Sequence, residues 1–212
     1  MFDTVDRAAA RRLPGASLLL AACALWASLW PGVAEAVQYD TLAIMHGEFW
    51  RIWTGHFVHW STDHLAWDLL VFVCLGALCE RGSRSAFLGC VLIGAPLISA
   101  SVAWFHPELQ TYRGLSGIDS ALFSLFLCQT AWRAAAQRQT ARLVALLLGG
   151  AGFLLKTVYE MVTDLTLFVD SSSAGMQPLV IVHLVGAIIG CAAVCITTCR
   201  SPTRGQQPIA AA

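Results

Sequence analysis

Charge is scarce in this sequence. Only 12% of the 212 residues are Asp, Glu, Lys or Arg, whereas a soluble domain carries about 25%. With 57% hydrophobic residues, the shortage excludes an ordinary soluble domain and points to a polytopic membrane protein. Formal net charge is zero, so no excess of one sign recommends a nucleic-acid partner. The CxxC pattern is also missing. The eight cysteines, Cys23, Cys74, Cys79, Cys90, Cys128, Cys191, Cys195 and Cys199, lie in or at the ends of apolar runs. They read as small packing residues rather than a metal or redox cluster, and the i, i+4, i+8 stripe of Cys191, Cys195 and Cys199 reads the same way. No internal repeat or pair of broken apolar runs is visible, which argues against an inverted-repeat transporter.

What is present is a set of six apolar runs: Ala16–Trp30, His64–Cys79, Ala86–Trp104, Gly114–Trp132, Leu143–Val162 and Pro178–Thr198. Each approaches the roughly 20 residues that cross a hydrocarbon core, and lipid leaves only the helix as a way to pair their backbones. Arg7, Arg11, Arg12, Arg81, Arg84, Arg133, Arg138, Arg142, Arg200 and Arg204 fall on one side of this arrangement. The opposite loops hold Arg51 and Arg113 with Glu35, Asp40, Glu48, Asp63, Glu108, Glu160, Asp164 and Asp170. By the positive-inside rule both termini are expected in the cytoplasm. The expected division is a cytoplasmic segment at 1–15, a six-helix all-α membrane domain at 16–198 and a cytoplasmic tail at 199–212. A second reading of the start stays open. Basic residues, an apolar run and Ala34-Glu35-Ala36 also resemble a signal peptide, whose removal would leave the other five spans in place. The loop between the first two runs carries Phe49-Trp50-Arg51-Ile52-Trp53 and Trp60, a composition suited to the membrane interface.

Polar residues inside the runs then fall at one depth. His64 and Asp68, four apart, share a face at the outer end of the second span. Ser116, Asp119 and Ser120 lie in the outer third of the fourth. His183 lies about 7 Å below the outer end of the sixth at 1.5 Å per residue, followed by Gly186 and Gly190, a stripe that lets a neighbouring helix come close. Ionisable groups inside spans are costly and mark function more often than glue when several converge. A serine hydroxyl needs a base to take its proton, and histidine suits that task near neutral pH. Glycines flank Ser116, and a helix start supplies free N–H groups for an oxyanion. Nucleophile, base and oxyanion donors for acyl transfer are therefore at hand. The competing readings are a metal or haem site using His59, His64, Asp68 and His183, and a polar cluster that only binds.

These residues resemble the rhomboid family of intramembrane serine proteases. Trp50-Arg51 looks like the family's WR pair. His59, His64 and Asp68 fall on HxxxxHxxxN, and Glu80 stands where the second span ends in an acid. Gly114-Leu115-Ser116-Gly117 is GxSG, and His183 with Gly186 and Gly190 is HxxGxxxG. The resemblance runs from about Trp50 to Gly190. It implies a six-helix rhomboid-like bundle with Ser116 as nucleophile and His183 as base. His64 and the Ser116 N–H would bind the oxyanion with Asp68 beside them, and no metal or cofactor would be needed. Substrates would be transmembrane segments cleaved near the outer face. The stretch from His46 to Trp60 and Tyr112–Gly117 look most like the rhombosortase branch. That implies a bacterial inner-membrane location and substrates with C-terminal Gly-Gly sorting segments. A catalytically inactive rhomboid-like binder of membrane clients is the alternative within the family. Two positions depart from its pattern. Asp68 stands where Asn is common, and Ser120 where a tyrosine often packs on the histidine. Asp119 or Asp68 is therefore expected as a third group holding the imidazole. Arg51, His56 and His59 read as loop braces, Glu80 with Arg81 as a cap at an inner helix end, His106 as a loop histidine, and Lys156 as a snorkelling side chain or partner of Glu160.

Overall fold

The computed structural model describes residues 13–30, 32–169 and 178–199. The basic N-terminal segment, Asp170 and the C-terminal tail, with the expectations attached to them, lie outside the described residues.

Helix α1, Gly15–Leu29, follows Pro14 and buries the stripe Ser17, Ala21, Ala24 and Ala27. Its small side chains let it lie against α5, Thr62–Gly82, where a Cβ on Gly76 would stand 3.0 Å from Ser17 Cβ. Glu80 of α5 caps the start of α1. Its carboxylate accepts from Ala16 N at 3.1 Å, Ser17 N at 2.8 Å and Ser17 Oγ at 3.0 Å. A negative group on the orphan N–H groups of a helix start satisfies them and complements the dipole. The expected cap thus serves the first helix, and the ion partner in reach is Arg84, at 3.8 Å.

Between these helices the loop is built from short pieces: α2, Val33–Val37, strand β1, Tyr39–Asp40, α3, Thr41–Met45, and α4, Arg51–Thr54, which runs into a 3-10 turn at Gly55–Phe57. Arg51 ties them together. It pairs with Glu48 at 2.7 Å and donates to the carbonyls of Glu35 and Gln38, both at 3.0 Å. His56 is fully buried, with Nε2 3.0 Å from both Ala95 O and Ser99 Oγ. Both residues are the braces their sequence positions imply.

The third apolar run is interrupted at one residue. Helix α6, Arg84–Leu92, gives way at Ile93 to α7, Gly94–Phe105. Pro96 has no N–H for the Leu92 carbonyl and its ring crowds that carbonyl, which accounts for the break. Strand β2, Thr111–Tyr112, pairs antiparallel with β1, Tyr39 opposite Tyr112 and Asp40 opposite Thr111. Helix α8, Ser116–Ala136, is the central element, with Ile118, Ala121, Leu122 and Leu125 fully buried. In α9, Thr140–Thr163, the buried residues are Thr157 and Glu160. Helix α10, Val180–Cys199, packs along α8.

Helical segments therefore occupy all six apolar runs. Thr62–Gly82, Arg84–Phe105 and Thr140–Thr163 are long and apolar enough to cross a membrane by themselves, and Gly15–Leu29 and Val180–Cys195 are shorter apolar helices. Helix α8 is long enough, but Ser116, Asp119, Ser120, Ser124, Gln129 and Thr130 dilute its apolar content. Most of these face inward, so its polarity is buried. Among the described cysteines all are free, and Cys79 and Cys90 are packed in the core.

Candidate active site

The site begins in the segment leading into α8. Gly114 has φ +131°, a backbone state that L side chains rarely adopt, and a Cβ there would stand 2.9 Å from His64 Cε1. Only glycine meets both conditions. Tyr112 Oη donates to Gly114 O at 3.1 Å, and Gly114 N donates to Gly55 O at 3.3 Å. Leu115 N donates to Asp68 Oδ2 at 2.9 Å. The helix then starts at Ser116, and its first intrahelical bond runs from Asp119 N to Leu115 O at 2.9 Å. The N–H groups ahead of it are the orphan donors of a helix start, gathered around the half-buried Ser116.

The approach of α10 brings His183 to this point. A Cβ on Gly186 would meet Gly117 O at 2.0 Å, and one on Gly190 would meet Ala121 O at 2.0 Å. Any side chain at either position would push the helices apart. In lipid, close backbone contact of this kind supplies the packing that exclusion of water supplies in a soluble core. Gly117 completes the crossing, its own hypothetical Cβ lying 3.3 Å from Val182 O and 3.1 Å from Ile98.

Ser120, one turn below Ser116, sets the state of the imidazole. Its Oγ lies 2.8 Å from Ser116 O and 3.1 Å from His183 Nδ1. A serine hydroxyl has one hydrogen, and the shorter contact takes it to the Ser116 carbonyl. The Ser120 oxygen can then only accept from His183, so Nδ1 carries the hydrogen and Nε2 presents its lone pair. A general base needs that tautomer. Ser120 performs by hydrogen bonding the orienting task that its sequence position left open.

Nε2 in turn lies 3.5 Å from Glu160 Oε2, and the same oxygen pairs with Lys156 Nζ at 2.7 Å. By sequence position Glu160 falls with the loop acids. The structure corrects that: it is 2% exposed within α9 and faces the histidine. A scan for apolar runs sees a charged residue near a run's end as a boundary. The pairing of Lys156 with Glu160 that their i, i+4 spacing implies is present, and it is the sequence's one pointer to the buried carboxylate.

The expected third group is not on His183. Asp68 is taken up elsewhere: besides Leu115 N, its Oδ2 lies 3.2 Å from Nε2 of both His59 and His64. The two rings meet edge to face at 5.0 Å. Burial holds the His59 imidazole below its ordinary pKa against the pull of the Asp68 carboxylate. Asp119 is 6% exposed, and its Oδ1 has no hydrogen-bond partner among the described residues. The donor atoms of His59, His64 and Asp68 lie within 4.8 Å of one another, a set that could hold a metal ion, and His183 is not part of it.

Ser116, Ser120, His183, His64, Asp68, Asp119, Lys156 and Glu160 line one cavity of about 940 Å³, and His59 does not. Glu108 and Arg113 add to its polar lining. Trp60, Trp67, Phe123, Phe153 and Phe168 form an aromatic wall. A mostly apolar chamber with a few convergent polar groups is the usual make-up of a binding or active site. No curated protein matches the chain. The profile of the Rhomboid domain matches residues 46–200, nearly three quarters of the sequence and all of the site just described. The chain thus belongs to the rhomboid family of intramembrane serine proteases, multi-pass proteins of the bilayer.

Proposed function

We propose that this protein is an intramembrane serine endopeptidase with Ser116 as nucleophile and His183 as general base. The observation that carries the reading is the Ser120 contact to Nδ1, which leaves Nε2 bare in the cavity that Ser116 also lines. In the reaction, Ser116 Oγ attacks the scissile carbonyl while its proton passes to His183 Nε2. The tetrahedral oxyanion forms beside the Ser116 N–H and His64, with Asp68 anchoring His64 and the start of α8. Its collapse breaks the C–N bond, and His183 returns the proton to the leaving amine. Water, deprotonated by the same base, then hydrolyses the acyl-enzyme.

The substrates are transmembrane segments, cleaved near the outer face in a six-span bundle with both termini in the cytoplasm. The arginine distribution supports that orientation. Within the family the chain fits the rhombosortase branch. Its substrates are then bacterial inner-membrane clients with C-terminal Gly-Gly sorting segments, and the motif stretches around Trp50 and Ser116 support this choice. A second reading, a metal centre at His59, His64 and Asp68, has the clustering of their donor atoms in its favour. The test is labelling of the purified chain by a fluorophosphonate probe. The wild type should react, and Ser116→Ala and His183→Ala should not. Labelling that survives Ser116→Ala overturns the reading. Stoichiometric zinc with no labelling favours the metal centre.

A further inference from the structure

We infer that Glu160, held in place by Lys156, is a positioning residue that stabilises the imidazolium formed when His183 takes the serine proton. The inference rests on the reading of Ser116 and His183 as nucleophile and base. It starts from an oddity of α9. Most of this helix is exposed apolar surface, yet one of its two buried residues is a glutamate. A buried ion is costly unless it is paired, and a pair inside a span marks function more often than stability. The partner is Lys156, the only lysine in the chain. The two residues sit on one helix, so their pairing by itself joins no two helices.

The direction of the carboxylate does explain it. Glu160 Oε2 points at His183 Nε2 across 3.5 Å, while Oε1 accepts from Leu167 N at 3.3 Å. In the resting tautomer Nε2 has no hydrogen, so the contact is not a hydrogen bond and two electron-rich atoms face each other. When the proton of Ser116 arrives at Nε2, the same geometry becomes a contact between an imidazolium and a carboxylate. The interaction is favourable only once charge has developed, and such an interaction lowers a barrier rather than tightening the resting state. Lys156 keeps the carboxylate compensated until then. The charged groups acting on His183 are Lys156 and Glu160 from α9 and Asp68 from α5. From α8 it faces the Ser120 hydroxyl and the Ser116 carbonyl, and Asp119 lines the same cavity. Asp68 is already engaged by Leu115 N, His59 and His64, which among the described residues leaves Glu160 as the carboxylate directed at Nε2.

The test is the pH dependence of fluorophosphonate labelling of the full chain in detergent micelles. Glu160→Gln keeps the shape and removes the charge. It should slow labelling at neutral pH by about tenfold to a hundredfold and move the acid limb of the profile to lower pH. Glu160→Asp should restore part of the rate and keep the limb closer to that of the wild type. A Glu160→Gln variant with wild-type rate, or one that is slower with an unmoved acid limb, overturns the proposal. If Glu160→Gln loses its thermal transition, Lys156→Gln serves instead. It removes the cation and should move the limb to higher pH, and an unmoved limb again overturns the proposal. A wild-type chain that takes no label overturns the assignment of Ser116 itself, an outcome separate from any effect of Glu160.

Discussion

Trp53 donates its indole N–H to the carbonyl of Leu92 at 2.9 Å. That carbonyl would otherwise bond the N–H of residue 96, and residue 96 is proline. A side chain of the loop between α1 and α5 therefore fills the gap that Pro96 opens between α6 and α7, and the interruption becomes the docking point of α4. Trp53→Phe should lower thermal stability by about 1 kcal/mol or more, because it leaves a carbonyl unsatisfied near lipid. The loss should shrink in a Pro96→Ala background, where a helical N–H is restored. Equal losses in both backgrounds, measured by unfolding in micelles, would show that the contact is not the reason Trp53 matters.

Ser120 is expected to matter for rate rather than for folding. Ser120→Ala removes the acceptor from Nδ1–H and frees the ring to take the other tautomer. Labelling at Ser116 should fall by about tenfold to a hundredfold with little change in melting temperature. Nitrogen NMR of the His183 ring should show Nδ1 protonated in the wild type and a mixture in the variant.

Asp68 separates the two kinds of role. Asp68→Asn keeps an oxygen for Leu115 N–H and should retain labelling within about threefold, whereas Asp68→Ala strands that buried donor and should lose about 2 kcal/mol of stability or more. If Asn is as damaging as Ala in the melting assay, the negative charge itself holds His59 and His64 in place.

His56 gives a pH dependence of stability whose sign is fixed by its surroundings. Burial lowers its pKa from 6.5 to about 4, outweighing the hydrogen bonds to backbone carbonyls that pull it up. Above pH 6.5 neither the folded nor the unfolded chain protonates this ring, and its contribution to stability is complete. As pH falls from 6.5 towards 4 the unfolded chain takes the proton first, and stability declines by up to about 3 kcal/mol. Melting curves of the wild type should show that decline, and His56→Gln should flatten it.

Much of this was legible before any coordinates. Gly186 and Gly190 occur at the spacing that a close helix crossing needs, and each faces a carbonyl oxygen that would exclude a Cβ, while Gly114 beside Ser116 takes the positive φ that glycine permits. The apolar runs foretold their helices because lipid permits no other backbone. Other features carry no local signal. The ladder of Tyr39 with Tyr112 joins residues far apart in sequence, through strands of two residues each. Ser120 reads in sequence as the loss of an aromatic ring, since its value lies in giving its one hydrogen to Ser116 O and accepting another from His183 Nδ1. Glu160 looked like a loop acid because only the packing of α9 against α10 turns its carboxylate inward.

That short ladder has a consequence for how the protein fails. The segment that leads into Ser116 is held by β1 and Gly55 of the loop between α1 and α5 as well as by Asp68 of α5. Mild heating, cleavage of the loop, or a detergent that strips the interface should therefore misplace Ser116 while the helices still stand. Loss of labelling and loss of helicity would then be two events, with the first arriving at the lower temperature.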